Sequence, residues 1–120
     1  MKVLIAEDEE VVLELFTRVL QDEGAIVTRT RDGQQAWEKL ETEDYDLIIT
    51  DLRMPNVSGQ QLYERTAEER PELLRRFVFA TGDLARPETV SFLGSLPNRI
   101  LPKPFEVETV RRVLAQAVSR

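Results

Sequence analysis

The chain has 120 residues and contains neither cysteine nor histidine. Any chemistry it performs therefore runs on carboxylates, hydroxyls and amines. The double absence removes thiol nucleophiles, disulfides, zinc sites of the usual kind and every histidine general base. What remains has a pattern. The acid pair Glu7-Asp8 follows the apolar run "KVLIA", Asp51 follows "YDLIIT", Thr81 follows "RFVFA", and Lys103 follows the short run "RIL". Singly, each has an ordinary reading as a helix cap, a turn former, a turn hydroxyl or a solvated charge. Jointly, the three carboxylates would repel one another if they met in one mouth, and a cation would relieve the repulsion. Mg²⁺ suits such a set, because it takes one or two carboxylates while keeping waters and phosphoryl oxygens as its other ligands. Lys103 and Thr81 would then offer a positive charge and a donor hydroxyl to anionic oxygens. That combination has the parts a phosphoryl-transfer site needs, which makes such a site the expectation.

Convergence requires elements that bring these residues together, and the chain reads as a regular alternation. Lys2–Ala6 is a continuous apolar run, the mark of a strand buried on both faces. Val12, Leu15, Phe16, Val19 and Leu20 follow at helical spacing within residues 9–23, and Gly24 supplies the stop. Ala25–Thr30 is a weaker, more polar strand, expected at an edge. Residues 33–43 form a helix with Ala36, Trp37 and Leu40 on one side, and Tyr45–Thr50 a third strand. The next helix, residues 60–70, carries Leu62, Tyr63 and Ala67 and ends at Pro71. Arg76–Ala80 is a fourth strand, Glu88–Leu93 a short helix, Arg99–Leu101 a brief fifth strand. Val107, Val110, Leu114 and Val118 stripe the last helix.

Five strands alternating with five helices imply an α/β fold, a doubly wound parallel sheet with helices on both faces. In such sheets, ligands bind beyond the carboxyl ends of the strands, where the winding reverses. Glu7, Asp8, Asp51, Thr81 and Lys103 all stand at those ends.

With the acid pair in "LIAEDEE", Asp51 in "DLRMPNVSG", Thr81 in "FATGD" and Lys103-Pro104 in "LPKPF", the chain resembles the receiver domain of bacterial two-component response regulators over essentially its full length. The resemblance implies one domain over residues 1–120, with a flavodoxin-like sheet of strand order 2-1-3-4-5. It implies Asp51 as phosphoacceptor, Asp8 as a direct Mg²⁺ ligand with Glu7 acting through water, and the backbone carbonyl of Arg53 as a further ligand. Thr81 becomes the switch hydroxyl and Lys103 the partner of the phosphoryl group, with a cis peptide between Lys103 and Pro104. The donor is a phosphohistidine of a histidine kinase or histidine phosphotransfer domain, and the sequence "ILPKPF" is similar to receivers attached to hybrid histidine kinases. A receiver of this kind is a signalling domain and not an enzyme, beyond its own phosphorylation and dephosphorylation.

Two departures stand out. Ile100 occupies the position where the family places a rotating tyrosine or phenylalanine, and "LGSLPNRI" replaces a glycine-containing turn. Switching is therefore expected to run through Thr81 and the segment Gly82–Pro87. Arg53 and Asp83 each lie two residues past a site residue, so a pair between them is expected to hinder water attack on a phosphoryl group.

Other functions fare less well. A haloacid-dehalogenase-type phosphatase also uses a strand-end aspartate, but needs a second acid two residues later, where this chain has Arg53. A receiver-shaped interaction module that is never phosphorylated would have no use for mutually repelling acids. Net charge is −6, without a basic run, which argues against direct nucleic-acid binding. The opening "MKVLIAEDEE" does not read as a signal peptide, and no apolar run approaches the ~20 residues of a membrane span. A cytoplasmic setting is the expectation.

Overall fold

The apolar runs become the strands of one parallel sheet. The computed structural model describes residues 1–82, 84–103 and 106–118. In order, the elements are β1 (Lys2–Ala6), α1 (Glu10–Asp22), β2 (Ile26–Thr30), α2 (Gly33–Leu40), β3 (Leu47–Asp51), α3 (Gly59–Glu69), β4 (Phe77–Thr81), α4 (Pro87–Gly94), β5 (Arg99–Pro102) and α5 (Val107–Val118). The strand order is β2-β1-β3-β4-β5 with all pairings parallel, so β2 lies at an edge as its polar composition suggested. This is the five-stranded flavodoxin-like arrangement expected from the sequence.

Side-chain alternation sorts the core into two layers. Val3 and Ile5 of β1, Leu47 and Ile49 of β3, Val78 and Ala80 of β4, and Leu101 of β5 pack with Leu13, Phe16 and Leu20 of α1 and Val110 of α5. Leu4, Ile48, Phe77 and Phe79 face the other way, toward Trp37, Leu40, Leu62 and Leu93 from α2, α3 and α4. Glu7, Asp51 and Lys103 continue the parity of Ile5, Ile49 and Leu101. Period-two alternation thus aims all three at the same side of the sheet, above the α1 and α5 layer.

The differences from the sequence reading lie at element ends. Tyr45 and Asp46 precede β3 rather than belonging to it. The Tyr45 ring is buried, and the Asp46 carboxylate accepts the Lys2 N–H at 2.8 Å. Asp51 and Thr81 are the last residues of their strands rather than the first of the following loops. Pro71 does end α3, but it also opens a 3₁₀ turn over Pro71–Arg76 that the helical spacing did not separate. Gly24 takes φ +85°, the left-handed conformation that closes α1 at the expected place. Val107 stands 37% exposed in the first turn of α5, off the expected stripe, while Val110 and Val113 are buried. The Arg53–Asp83 pair, the Lys103–Pro104 peptide and the side chains of Leu114 and Val118 involve atoms outside those described.

Candidate functional site at the carboxyl end of the sheet

Pairing in register places Asp51 beside Ala80, Ala6 beside Thr50, and Thr81 beside Pro102. The five site positions therefore end at one level. The packing of α3 tightens this. Its N-cap Ser58 accepts from the Gln61 N–H while the Gln61 side chain accepts from the Ser58 N–H, a reciprocal capping box. Gly59, the first residue of α3, donates to the Leu52 carbonyl at 3.0 Å, and any Cβ there would collide with the Asp51 carbonyl. Glycine is what lets the helix start against the backbone of the acidic strand end.

One oxygen from each of Glu7, Asp8 and Asp51 falls within a 4.8 Å cluster, the acid trio expected from the sequence. The three are not equivalent. Glu7 is fully buried, Asp51 is 7% exposed, and Asp8 faces solvent. Lys103 reaches in from the end of β5, its Nζ at 2.9 and 3.1 Å from the two oxygens of Glu7 and at 3.1 Å from Asp51 Oδ2. Asp51 Oδ1 also accepts the Arg53 N–H at 3.3 Å. Thr81 is buried, and its carbonyl accepts the Lys103 N–H at 2.8 Å, tying the hydroxyl-bearing strand to the amine-bearing loop. Neither Glu7 nor Asp8 caps α1. Glu9 holds the N-cap position, and Glu7 accepts its N–H at 3.3 Å.

The electrostatics follow from these positions. Burial first, and the Asp51 charge second, push the Glu7 carboxyl up to about 7, with Lys103 and the Glu9 N–H only partly offsetting them. Burial likewise raises the Asp51 carboxyl against the pull of Lys103. Burial works against the Lys103 charge, yet hydrogen bonding to Glu7 and the charge of Asp51 leave its ammonium above the ordinary lysine value. Among the described contacts, the Lys103 ammonium is the cation that meets this acid cluster, and it also has Glu9 at 3.7 Å, so the site is under-compensated. An oxygen-liganded cation fits that donor set, with no sulfur or imidazole to favour a softer metal.

Sequence reasoning missed the supports of the loop after Asp51. Asn56 adopts φ +66°, and Gly33 makes a close approach to Val57. The spelling "PNVSG" signals a turn, but not what that turn rests on.

Fold, strand order and the acid–lysine–threonine set together define a receiver. The chain belongs to the response regulator receiver domain family, whose model matches residues 3–115. It is 30% identical to the response regulator receiver protein CpdR of Brucella abortus over 88% of this chain and 87% of that protein. It is 38% identical to protein RcaC of Microchaete diplosiphon over 96% of this chain but only 18% of that longer protein. The receiver domain of sensor histidine kinase PA1611 from Pseudomonas aeruginosa superposes with TM-score 0.88 at 25% identity, covering 99% of this chain and 98% of that one, and was solved with a magnesium ion in its active site cleft. The chain is thus a two-component phosphoacceptor domain by family, and nothing favours the phosphatase reading. Among the described residues, no helix is long and apolar enough to cross a membrane.

Proposed function

We propose that Asp51 accepts a phosphoryl group from a phosphohistidine on a histidine kinase or phosphotransfer protein, and that the resulting change switches a protein–protein interaction. The chain itself contains no histidine, so the donor residue belongs to another polypeptide or another domain. A carboxylate oxygen of Asp51 bonds to phosphorus while the P–N bond breaks and its electron pair returns to the imidazole. Lys103 already bridges Glu7 and Asp51 and can follow the incoming charge, its ammonium moving from carboxylate to phosphoryl oxygen without leaving the mouth. The Thr81 hydroxyl, at the end of the adjacent strand, donates to another phosphoryl oxygen in the product. Mg²⁺, when held by Asp8, Asp51 and the Arg53 carbonyl with Glu7 behind it through water, would neutralise charge on the group in transfer. The domain performs no further turnover, and works as a signalling element rather than an enzyme.

The observation that carries this reading is the buried contact of Lys103 with Asp51 and Glu7 inside the acid cluster. A structural ion pair alone would have no need of the third, exposed acid. Acetyl phosphate with Mg²⁺ should add one phosphoryl group to the chain by intact mass, and none to Asp51→Asn. Full labelling of that variant would sink the assignment.

A further inference from the structure

The loop after Asp51 is held from outside the site. Its Asn56 adopts φ +66°, a left-handed conformation that asparagine tolerates better than most residues. There its side-chain amide donates to Asp32 Oδ2 at 3.0 Å, across 24 residues of sequence. Asp32 is also the N-cap of α2, its other oxygen accepting the Gln35 N–H at 2.8 Å. The next residue, Gly33, donates its N–H to the Val57 carbonyl at 2.9 Å, and a Cβ at Gly33 would collide with that carbonyl. Glycine is a weak helix former compared with alanine. The close approach of the loop accounts for its presence.

The loop thus has two anchors on the start of α2, through Asn56 and Val57, and a third at Gly59 against Asp51. Between them lie Leu52 to Pro55, including Arg53, whose N–H holds Asp51 Oδ1. We infer that Asp32, Gly33 and Asn56 are positioning residues for the phosphorylation site: they hold the main chain of Arg53 in place for Mg²⁺ and Asp51 from the far side of the loop. The inference rests on the receiver reading above and adds to it a dependence of cation affinity on the start of α2.

Two mild variants separate positioning from folding. Asp32→Ser retains a hydroxyl that caps a helix but is too short to reach Asn56. Asn56→Gly retains access to positive φ but loses the amide. In chelator, amide hydrogen exchange across residues 52–57 should accelerate in both, with exchange in the body of α2 unchanged. Mg²⁺ titration should show a Kd raised roughly ten-fold, the scale seen when partners behind metal ligands are removed. The double variant should be no weaker than the worse single, because both break one contact. Gly33→Ala, which pushes on Val57 directly, should lose at least as much affinity. Faster loop exchange with Mg²⁺ affinity within two-fold of the parent would overturn the inference, as would unchanged loop exchange. A parent chain that binds no Mg²⁺ would strike the site reading itself and take this inference with it.

Discussion

The two ends of the sheet are both crowded with charge, and they use it in opposite ways. At the amino end, Arg70 donates to the carbonyls of Leu40 and Glu43 at 2.7 and 3.0 Å, and also binds Asp44 and Glu72. Arg76 donates to the Tyr45 carbonyl at 2.8 Å, and Asn98 to the carbonyls of Leu74 and Phe77 at 2.8 and 2.9 Å. Cations and amides there are matched chiefly to backbone carbonyls, acceptors that cannot titrate, and the carboxylates that add to Arg70 are exposed ones. At the carboxyl end, three acids cluster around one lysine that bonds two of them, Glu7 and Asp51, and both of those have carboxyls raised by burial. Satisfied polar groups hold a fold together, whereas a deficit of positive charge leaves a place for a cation and an anion to fill. Both ends carry ionic contacts of similar length, so contact distance alone does not distinguish structure from function.

Substitutions can pull the two ends apart. The largest effect should come from Lys103→Met, which removes the only described cation contacting Asp51. Its labelling by acetyl phosphate should slow by about two orders of magnitude, the usual consequence of deleting a donor aimed at developing charge. A labelling rate within a few-fold of the parent would put Lys103 on the structural side of the comparison.

Arg70→Ala should do the reverse. Losing two hydrogen bonds to carbonyls at ~1 kcal/mol each should cost about 2 kcal/mol in urea melts, with the labelling rate unchanged. Slower labelling there would mean that the two ends are coupled.

The pH dependence should also differ. In chelator, the Glu7 carboxyl titrates near 7 in the folded chain against 4.5 ordinarily. The folded state then holds a proton that the unfolded state has released. Stability should accordingly fall as pH rises between these values, and Glu7→Gln should flatten that fall. Thermal melts in EDTA from pH 4.5 to 8 would show this, and equal slopes for parent and variant would contradict it.

A smaller change is expected for Asp8→Asn. It should abolish tight Mg²⁺ binding yet raise stability in chelator by no more than about 1 kcal/mol, because an exposed carboxylate feels its neighbours through water. A lower melting temperature in EDTA would refute the repulsion argument.

The smallest effect concerns Ile100. It lies beside Phe79 in the β4–β5 register and packs against the layer that holds the rings of Tyr63, Phe77, Phe79 and Phe92, whose neighbouring centroids are 5.2 to 5.9 Å apart. A β-branched side chain held there has one comfortable rotamer. With beryllofluoride as phosphoryl mimic, Ile100 methyl signals should stay put while Thr81, Gly82 and Leu84–Pro87 shift. Shifts confined to groups touching Asp51 would indicate a phosphate sink rather than a switch.

Much of this was legible in the residues themselves. Continuous apolar runs and helical stripes are local properties, so strand identity, element order and the placing of Glu7, Asp8, Asp51 and Lys103 at strand ends could be read before any packing was known. The parallel sheet followed because short strands alternating with helices admit few other solutions. Local patterns did not show which acid of the pair turns inward. Glu7 and Asp8 look interchangeable in "AEDEE", and only the layer above α1 and α5 buries one and leaves the other wet. The same holds for Lys103, which meets Glu7 across 96 residues and Asp51 across 52. The hold of Asp32 and Gly33 on the 52–57 loop belongs to the same class. These depend on how closely separate layers approach, a sum of side-chain volumes over the whole core, and no stretch of sequence short enough to show a pattern contains that sum.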